Sequence, residues 1–289
     1  MKLTELLVCP ECKTRLSMRT DSYSCKQCRK LYSVNHGIVM LINFKELPEH
    51  IQKQIDYFEV EDGTRKMYKL EPWQARYVDA FLRYGKLKKN GLIIDNATGS
   101  GYMAIELAKR GYFVIACDLT MKELVSLSRE VKRLNFEHRI LLVCANSESL
   151  PIKDACADGM VANAILEHLP NESLAIQSMT RILKKDSPLM LAVPLSYRLI
   201  FPLLLLVNMI HDRRIGHLRR YDRQDILNKF SGFRENTTYY TGHLVKVFCL
   251  FMFLCTKYQW WNELGELLDK KFSKFSYGAS NIVSILRKK

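Results

Sequence analysis

An α/β fold, with a sheet covered by helices on both faces and a small cysteine-rich unit in front of it, is what this sequence predicts. Three observations carry the prediction. Short apolar runs alternate with helical periods over the last two thirds of the chain, a glycine-rich turn follows the first of those runs, and two Cys-x-x-Cys pairs stand near the N-terminus. With 289 residues and 48% hydrophobic content, the chain can bury one large core plus an appendage. Its formal charge of +14 favours an anionic contact such as nucleic acid, a phosphorylated substrate or an acidic membrane surface, without choosing among them. No basic start followed by an apolar signal segment opens the sequence, so a cytoplasmic placement is expected, with peripheral membrane association as an extension of it.

The first unit, residues 1–43, contains Cys9 and Cys12 in one Cys-x-x-Cys and Cys25 and Cys28 in another. Each knuckle turns two thiolates toward one ion, and two knuckles supply a closed tetrahedral shell of the kind that holds structural Zn2+. No position is left open for chemistry, so the ion's binding energy becomes folding energy for a unit too small to fold unaided. Two disulfides are disfavoured in a reducing compartment, and a redox Cys-x-x-Cys occurs once, after a strand. The other cysteines, Cys117, Cys144, Cys156, Cys249 and Cys255, are scattered among apolar neighbours and read as free thiols. The order of an apolar start, "CPEC", "CKQC", "LYSV" and "HGIVMLI" resembles the small zinc-ribbon activator subunits of methyltransferases that modify tRNA, rRNA and release factors. That resemblance implies a zinc ribbon able to dock a protein partner and says nothing of catalysis.

Residues 44–90 read as a helical linker, broken at Pro48 and Pro72. "WQARYVDAFLRYGKL" carries Trp73, Tyr77, Val78, Phe81 and Leu82 at a helical period. Its plain reading is a helix packed on the next unit; Tyr57 and Trp73 are candidate lid residues over a cofactor cleft.

The third unit, residues 91–289, opens on "GLIIDNATGSGYMAIELAKRG". Gly99, Gly101 and Ala104 match a dinucleotide fingerprint, and Asp118 ends a second apolar run where that fingerprint wants an acid. Asp95 discriminates. A carboxylate beside a pyrophosphate at a helix N-terminus costs Coulomb energy, whereas S-adenosyl-L-methionine presents an ammonium and a sulfonium and has no phosphate. Asp118 is then expected to accept from ribose hydroxyls through both carboxylate oxygens, with Leu119 beside it in the same turn.

These residues resemble the first motif of the class I S-adenosylmethionine-dependent methyltransferases, with Asp95, Gly99 and Gly101 in the acidic and glycine positions and Ala97 where the pattern usually has a first glycine. "ESLP" and "LEHLP" follow in the family's order. The resemblance, from about Leu92 to Leu195, implies a Rossmann-like, seven-stranded mixed sheet with helices on both faces. It implies adenine contacts at Asn146 and Ser147, where an Asp is more usual than Asn146, and approach of the cofactor's methionine portion at Asn163. Glu167 and His168 follow on the loop or helix start after the fourth strand.

Two segments exceed the common core: 197–221, an apolar run interrupted by Pro202 and followed by Arg213, Arg214, Arg219 and Arg220, and 243–272, with "LVKVFCLFMFLCTKYQWW". Neither is long enough to span a bilayer unbroken, so both are expected to be helical caps, either packed together as extra core or enclosing a greasy cavity with a basic rim. The latter suits a small-molecule or lipid-like acceptor. Methyl transfer is an in-line displacement that proximity and alignment accelerate, and a hydroxyl acceptor adds the need for a base, for which His168 and His217 are the candidates. RNA base methylation, using ribbon and basic surface, is the second reading, and a non-catalytic partner-binding subunit the third.

Overall fold

The computed structural model describes residues 2–44, 47–60 and 68–289; part of the 44–90 linker lies outside them. After a short turn at Leu3–Leu6, the strands β1 (Ser17–Met18), β2 (Ser22–Ser24), β3 (Leu31–Asn35) and β4 (Ile38–Met40) form an antiparallel meander. His36 and Gly37 both have positive φ, 55° and 79°, the conformation that a two-residue hairpin between twisted strands requires. The linker folds as α1 (Glu49–Val60) and α2 (Pro72–Gly85). Pro72 stands at the first helical position of α2, and Glu71 and Gln74 close a capping box, so the sequence break at Pro72 is a helix start.

The large unit then alternates: β5 (Leu92–Asn96), α3 (Tyr102–Lys109), β6 (Phe113–Asp118), α4 (Met121–Arg133), β7 (Ile140–Cys144), β8 (Gly159–Asn163), α5 (Glu172–Ile182), β9 (Pro188–Pro194), α6 (Pro202–Ile215), α7 (Arg223–Lys229), β10 (Phe233–Thr241), α8 (Leu244–Thr256), α9 (Trp260–Lys271) and β11 (Asn281–Lys288). The seven strands from β5 onward lie in the order β7-β6-β5-β8-β9-β11-β10; the first five run parallel, and β11 is antiparallel to both neighbours. This is the expected seven-stranded mixed sheet. All five residues of β5 are buried, as a strand covered by helices on both faces must be. The carboxyl ends of β5 and β8 meet at the point where strand order reverses, the usual crevice for a ligand.

The N-terminal unit does not stand apart. β4 pairs in parallel with β7, Ile38 opposite Leu142 and Met40 opposite Cys144, which extends the sheet to eleven strands. The physical reason is the edge: without β4, β7 would expose a row of unpaired N–H and C=O groups. Pro10 and Lys13, on the first cysteine knuckle, clasp Ser149 of the large unit, with Lys13 Nζ 2.6 Å from Ser149 Oγ and Ser149 Oγ 2.7 Å from the Pro10 carbonyl.

The expected caps are helices. α8 packs on α9, with Gly265 so close that an added Cβ would lie 2.9 Å from the Cys249 Cβ. Buried Asp269 of α9 ties this pair to α2 by accepting from Arg76 at 2.5 Å. Among the described residues, no helix is long and apolar enough to cross a membrane.

Candidate active site

A cavity of about 620 Å³ opens at the carboxyl ends of β5, β6 and β8. Six of the sequence-predicted cofactor residues line it: Ala97, Gly99, Asp118, Leu119, Ser147 and Asn163. Each comes from a strand end or the turn just after one. Ala97 has φ 58°, a left-handed conformation that glycine adopts freely and alanine adopts at a cost of about 1 kcal/mol. Gly99 has φ 48°, and a Cβ built there meets nothing within 4 Å, so this side of the turn faces open space. Gly101, at φ 72°, is required for a different reason: a Cβ there would sit 2.3 Å from Leu127 Cδ1 of α4.

Three expected contacts differ. Asp95 does not line the cavity; it is buried behind the turn, where its carboxylate accepts from Thr98 Oγ1 at 2.5 Å. Burial pushes its pKa up to about 6, with Asp118 adding to the rise. Asp95 thus braces the turn and places its charge beneath the cavity. Gly101 likewise acts through packing. Asn146 also stands off the lining, because its Oδ1 caps the following turn by accepting from the Glu148 N–H at 2.9 Å.

Asp118 faces the cavity with both oxygens already holding backbone: Oδ2 accepts from Gly99 N–H at 2.8 Å and Oδ1 from Thr120 N–H at 2.9 Å. Each oxygen keeps a second lone pair for a ligand hydroxyl. Burial raises its pKa, against these hydrogen bonds. Ser147 Oγ donates to the buried Asn96 Oδ1 at 2.8 Å. Asn163 Nδ2 donates to Tyr102 Oη at 2.8 Å, which leaves its buried Oδ1 without a hydrogen-bond partner among the described residues.

The lining from the strand-end turns, 97–100, 118–120, 147 and 163–165, therefore offers acceptors and contains no lysine or arginine. That set fits a ligand rich in N–H, O–H and positive charge and fits a pyrophosphate poorly. The residues present suit S-adenosylmethionine.

The rest of the cavity has another character. Ile51, Ile55 and Phe58 of α1, Trp73 of α2, Ile165 and Ile215 give it apolar walls. Trp73 is thus at the cleft as expected; Tyr57 is not in the lining, and its neighbour Phe58 is. His168 and His217, far apart in sequence, come together with ring centroids 4.7 Å apart. His217 Nδ1 donates to Asp212 Oδ1 at 2.8 Å, and its Nε2 lies 3.8 Å from Glu167 Oε1. Asp212 is further held by Arg220, whose Nη2 is 2.8 Å from Oδ1, and by the Tyr197 hydroxyl. His168 Nδ1 is 3.0 Å from Gln54 Nε2, which also donates to the Gly216 carbonyl at 3.0 Å.

Burial drives the charges of this group. It lowers the His168 pKa to about 3, helped by the neighbouring histidines, and it also lowers that of His217, although Asp212 pulls the other way. It raises Glu167 to about 8. Both imidazoles are therefore neutral near pH 7 and Glu167 is mostly protonated. Asp212 stays ionised: burial opposes its charge, but Arg220, Tyr197 and His217 outweigh that. Ligand atoms of Glu167, His168 and His217 all lie within 4.8 Å of one another, so the group can hold either a proton or a divalent cation. Sequence reading missed Asp212, yet a signal existed: it is the sole acid between Tyr197 and Tyr221. Gln54 carried no signal.

At the other unit, the ligand atoms of Cys9, Cys12, Cys25 and Cys28 lie within 4.8 Å of one another. Cys9 and Cys28 Sγ are 4.0 Å apart and Cys12 and Cys25 Sγ 3.5 Å apart, around the ~3.8 Å edge of a tetrahedral zinc–thiolate shell. The donor set, four cysteines outside any disulfide, fits a closed, structural Zn2+.

Residues 94–191 match the methyltransferase domain family. The ubiquinone/menaquinone biosynthesis C-methyltransferase UbiE of Geotalea uraniireducens (strain Rf4) is 30% identical over 115 residues, 38% of this chain; the matched part spans 47% of that protein. Among solved structures, geranyl diphosphate C-methyltransferase from Streptomyces coelicolor A3(2), in complex with Mg2+, geranyl-S-thiolodiphosphate and S-adenosyl-L-homocysteine, superposes with a TM-score of 0.63 at 10% identity, over 84% of this chain and 99% of that one. Phosphoethanolamine N-methyltransferase 2 of Haemonchus contortus, in complex with S-adenosyl-L-methionine, gives 0.58 at 14% identity, over 85% of this chain and 61% of that one. These two likenesses concern the fold. With the matched domain and the strand order, they give residues 94–191 a methyltransferase domain within a fold shared with class I S-adenosylmethionine-dependent methyltransferases.

Proposed function

We propose that this protein transfers the methyl group of S-adenosylmethionine to an amphiphilic acceptor whose apolar part lies against Ile51, Ile55, Phe58 and Ile215. One observation carries the reading: a single cavity joins an acceptor-rich, cation-free end at the glycine turn to an apolar end that carries a neutral histidine held by a carboxylate. The similar geranyl diphosphate C-methyltransferase acts on a prenyl chain with an anionic head, which is the chemistry that apolar walls beside Lys246 and His211 would receive.

When bound, the cofactor supplies an electrophilic methyl on a sulfonium. Asp118, Ser147 and Asn163 would hold it, with the unpartnered Asn163 Oδ1 available to accept from a donor. Apolar side chains from α1 and α2 exclude water and hold the acceptor in line, the larger part of the acceleration. Since Asp212 takes the Nδ1 hydrogen, His217 presents a lone pair at Nε2; it accepts the proton of the attacking group, and Asp212 stabilises the imidazolium that forms. His168 is the weaker base, because Gln54 already occupies its Nδ1, and burial together with His217, His50 and His211 opposes its charge.

The test is transfer of a tritiated methyl group to cell extracts split into lipid, small-metabolite and RNA fractions, alongside calorimetry of cofactor binding. Label in the lipid or amphiphile fraction supports the reading. Label confined to RNA, or absence of cofactor binding, overturns it.

A further inference from the structure

α6 is built inside out. Leu204, Asn208 and Asp212, spaced one turn apart, form its inward face, where Arg220 bonds both Asn208 Oδ1, at 2.9 Å, and Asp212. The outward face carries Leu203, Leu206, Val207 and Ile210, between 61% and 71% exposed. Apart from Leu204 the inward face is polar, while four large apolar side chains face solvent, unlike a helix whose apolar stripe meets a core. α8 likewise exposes apolar residues: of its 13 residues only Cys249 is buried, while Phe248, Leu250, Phe251 and Leu254 are 45% to 60% exposed.

The loop after α9 connects the starts of these two helices. His243, which precedes α8, reaches the Phe275 carbonyl at 2.9 Å, and Gly278 N–H donates to the Leu199 carbonyl, just before α6, at 2.7 Å. Phe275 and Tyr277 on this loop are 64% and 58% exposed. Isolated exposed leucines are ordinary; two helix faces and the loop between them are not.

The exposed charge on α6, α8 and this loop has one sign. Between residues 197 and 221 the sole acid is Asp212, buried and paired, and between 243 and 262 there is none. Arg198, Arg213, Lys257 and Lys274 are exposed at their edges. Helices of 14 and 13 residues are too short to span a bilayer but suit a place in its interface, apolar face down, with cations at headgroup level.

We infer that α6, α8 and the 273–278 loop form a surface that seats the protein on an anionic lipid bilayer. His211 and Ile215 of α6 and Lys246 of α8 also line the cavity, so docking would set the cavity beside the lipid. This last step rests on the proposed amphiphilic acceptor; the docking itself does not.

Flotation of the full-length protein with vesicles of phosphatidylcholine alone, and of phosphatidylcholine mixed with phosphatidylglycerol, tests it. The protein should float with the mixed vesicles and be released by salt. The double variant Leu206→Glu with Phe251→Glu should cut the vesicle-bound fraction at least about tenfold, since each change removes an apolar anchor and adds a repelled charge. Its cofactor affinity by calorimetry and its melting temperature should match the parent, because both residues are exposed. A wild-type protein that stays unbound with both vesicles overturns the inference, and so does a dimer that the double variant dissolves without any change in flotation. Equal flotation with both vesicle types overturns the anionic preference. Flotation without methyl transfer would leave docking standing and sink the acceptor reading instead.

Discussion

Nδ1 of His217 lies 2.8 Å from Oδ1 of Asp212, and Arg220 grips the same carboxylate. This contact fixes which nitrogen of His217 faces the cavity. His217→Gln should lower methyl transfer by about 10²- to 10⁴-fold, the usual contribution of a positioned base, with cofactor affinity unchanged. Asp212 raises the His217 pKa against burial. Asp212→Asn should therefore move the rising limb of the pH–rate profile to lower pH as well as reduce the plateau. A His217→Gln rate equal to wild type would refute the assignment.

Glu167 gives the fold a pH dependence of its own. Burial above all, and then Asp212, raise it from an ordinary 4.5 to about 8. Between those values the folded chain binds a proton that the unfolded chain releases. Stability from this group is complete below pH about 4.5 and is lost as pH rises toward 8. Urea unfolding across that window should show a falling stability in wild type and a flatter dependence in Glu167→Gln.

Two glycines separated by the single residue Ser100 should fail differently. Gly101→Ala sets a Cβ 2.3 Å from Leu127 Cδ1, at φ 72°, and should destabilise the fold by about 1–3 kcal/mol in thermal or urea unfolding. Gly99→Ala meets no atom within 4 Å, so it loses only the roughly 1–2 kcal/mol that alanine costs at φ 48°, but its methyl projects into the cavity. Calorimetry should then show weakened cofactor binding in Gly99→Ala with a smaller drop in melting temperature than in Gly101→Ala.

Metal analysis should find zinc bound by Cys9, Cys12, Cys25 and Cys28. Chelation, or Cys12→Ser, should loosen the first unit and with it the β4–β7 pairing, since metal affinity and folding are one free energy in so small a unit. Faster amide exchange in Ile140–Cys144 on chelation would report it; unchanged exchange there would show that the sheet edge holds without the metal.

Much of this was legible from local pattern. The glycine turn, the acids ending β5 and β6, the cysteine spacing and the apolar runs of the seven-stranded sheet are short-range signals, and the structure places each on its expected element. Contacts were harder to read. Asp95 looked like a cofactor ligand because a strand-end acid beside a glycine turn can face either way, and Thr98 turned it inward. Asn146 looked like an adenine contact, but a side-chain oxygen beside a free N–H closed the local cap first.

By itself, the sequence determined the order of strands and helices, the set of four thiols and the acidic, glycine-rich turn, because each depends on residues near one another in the chain. Only the tertiary structure decided that β4 completes the sheet edge, that Asp212 reaches His217 beside Glu167, and that α6 turns Leu203, Leu206, Val207 and Ile210 outward. Those outcomes depend on partners far along the chain: an exposed strand edge, a buried arginine needing a carboxylate, and a helix oriented by its polar residues because Arg220 held them inside.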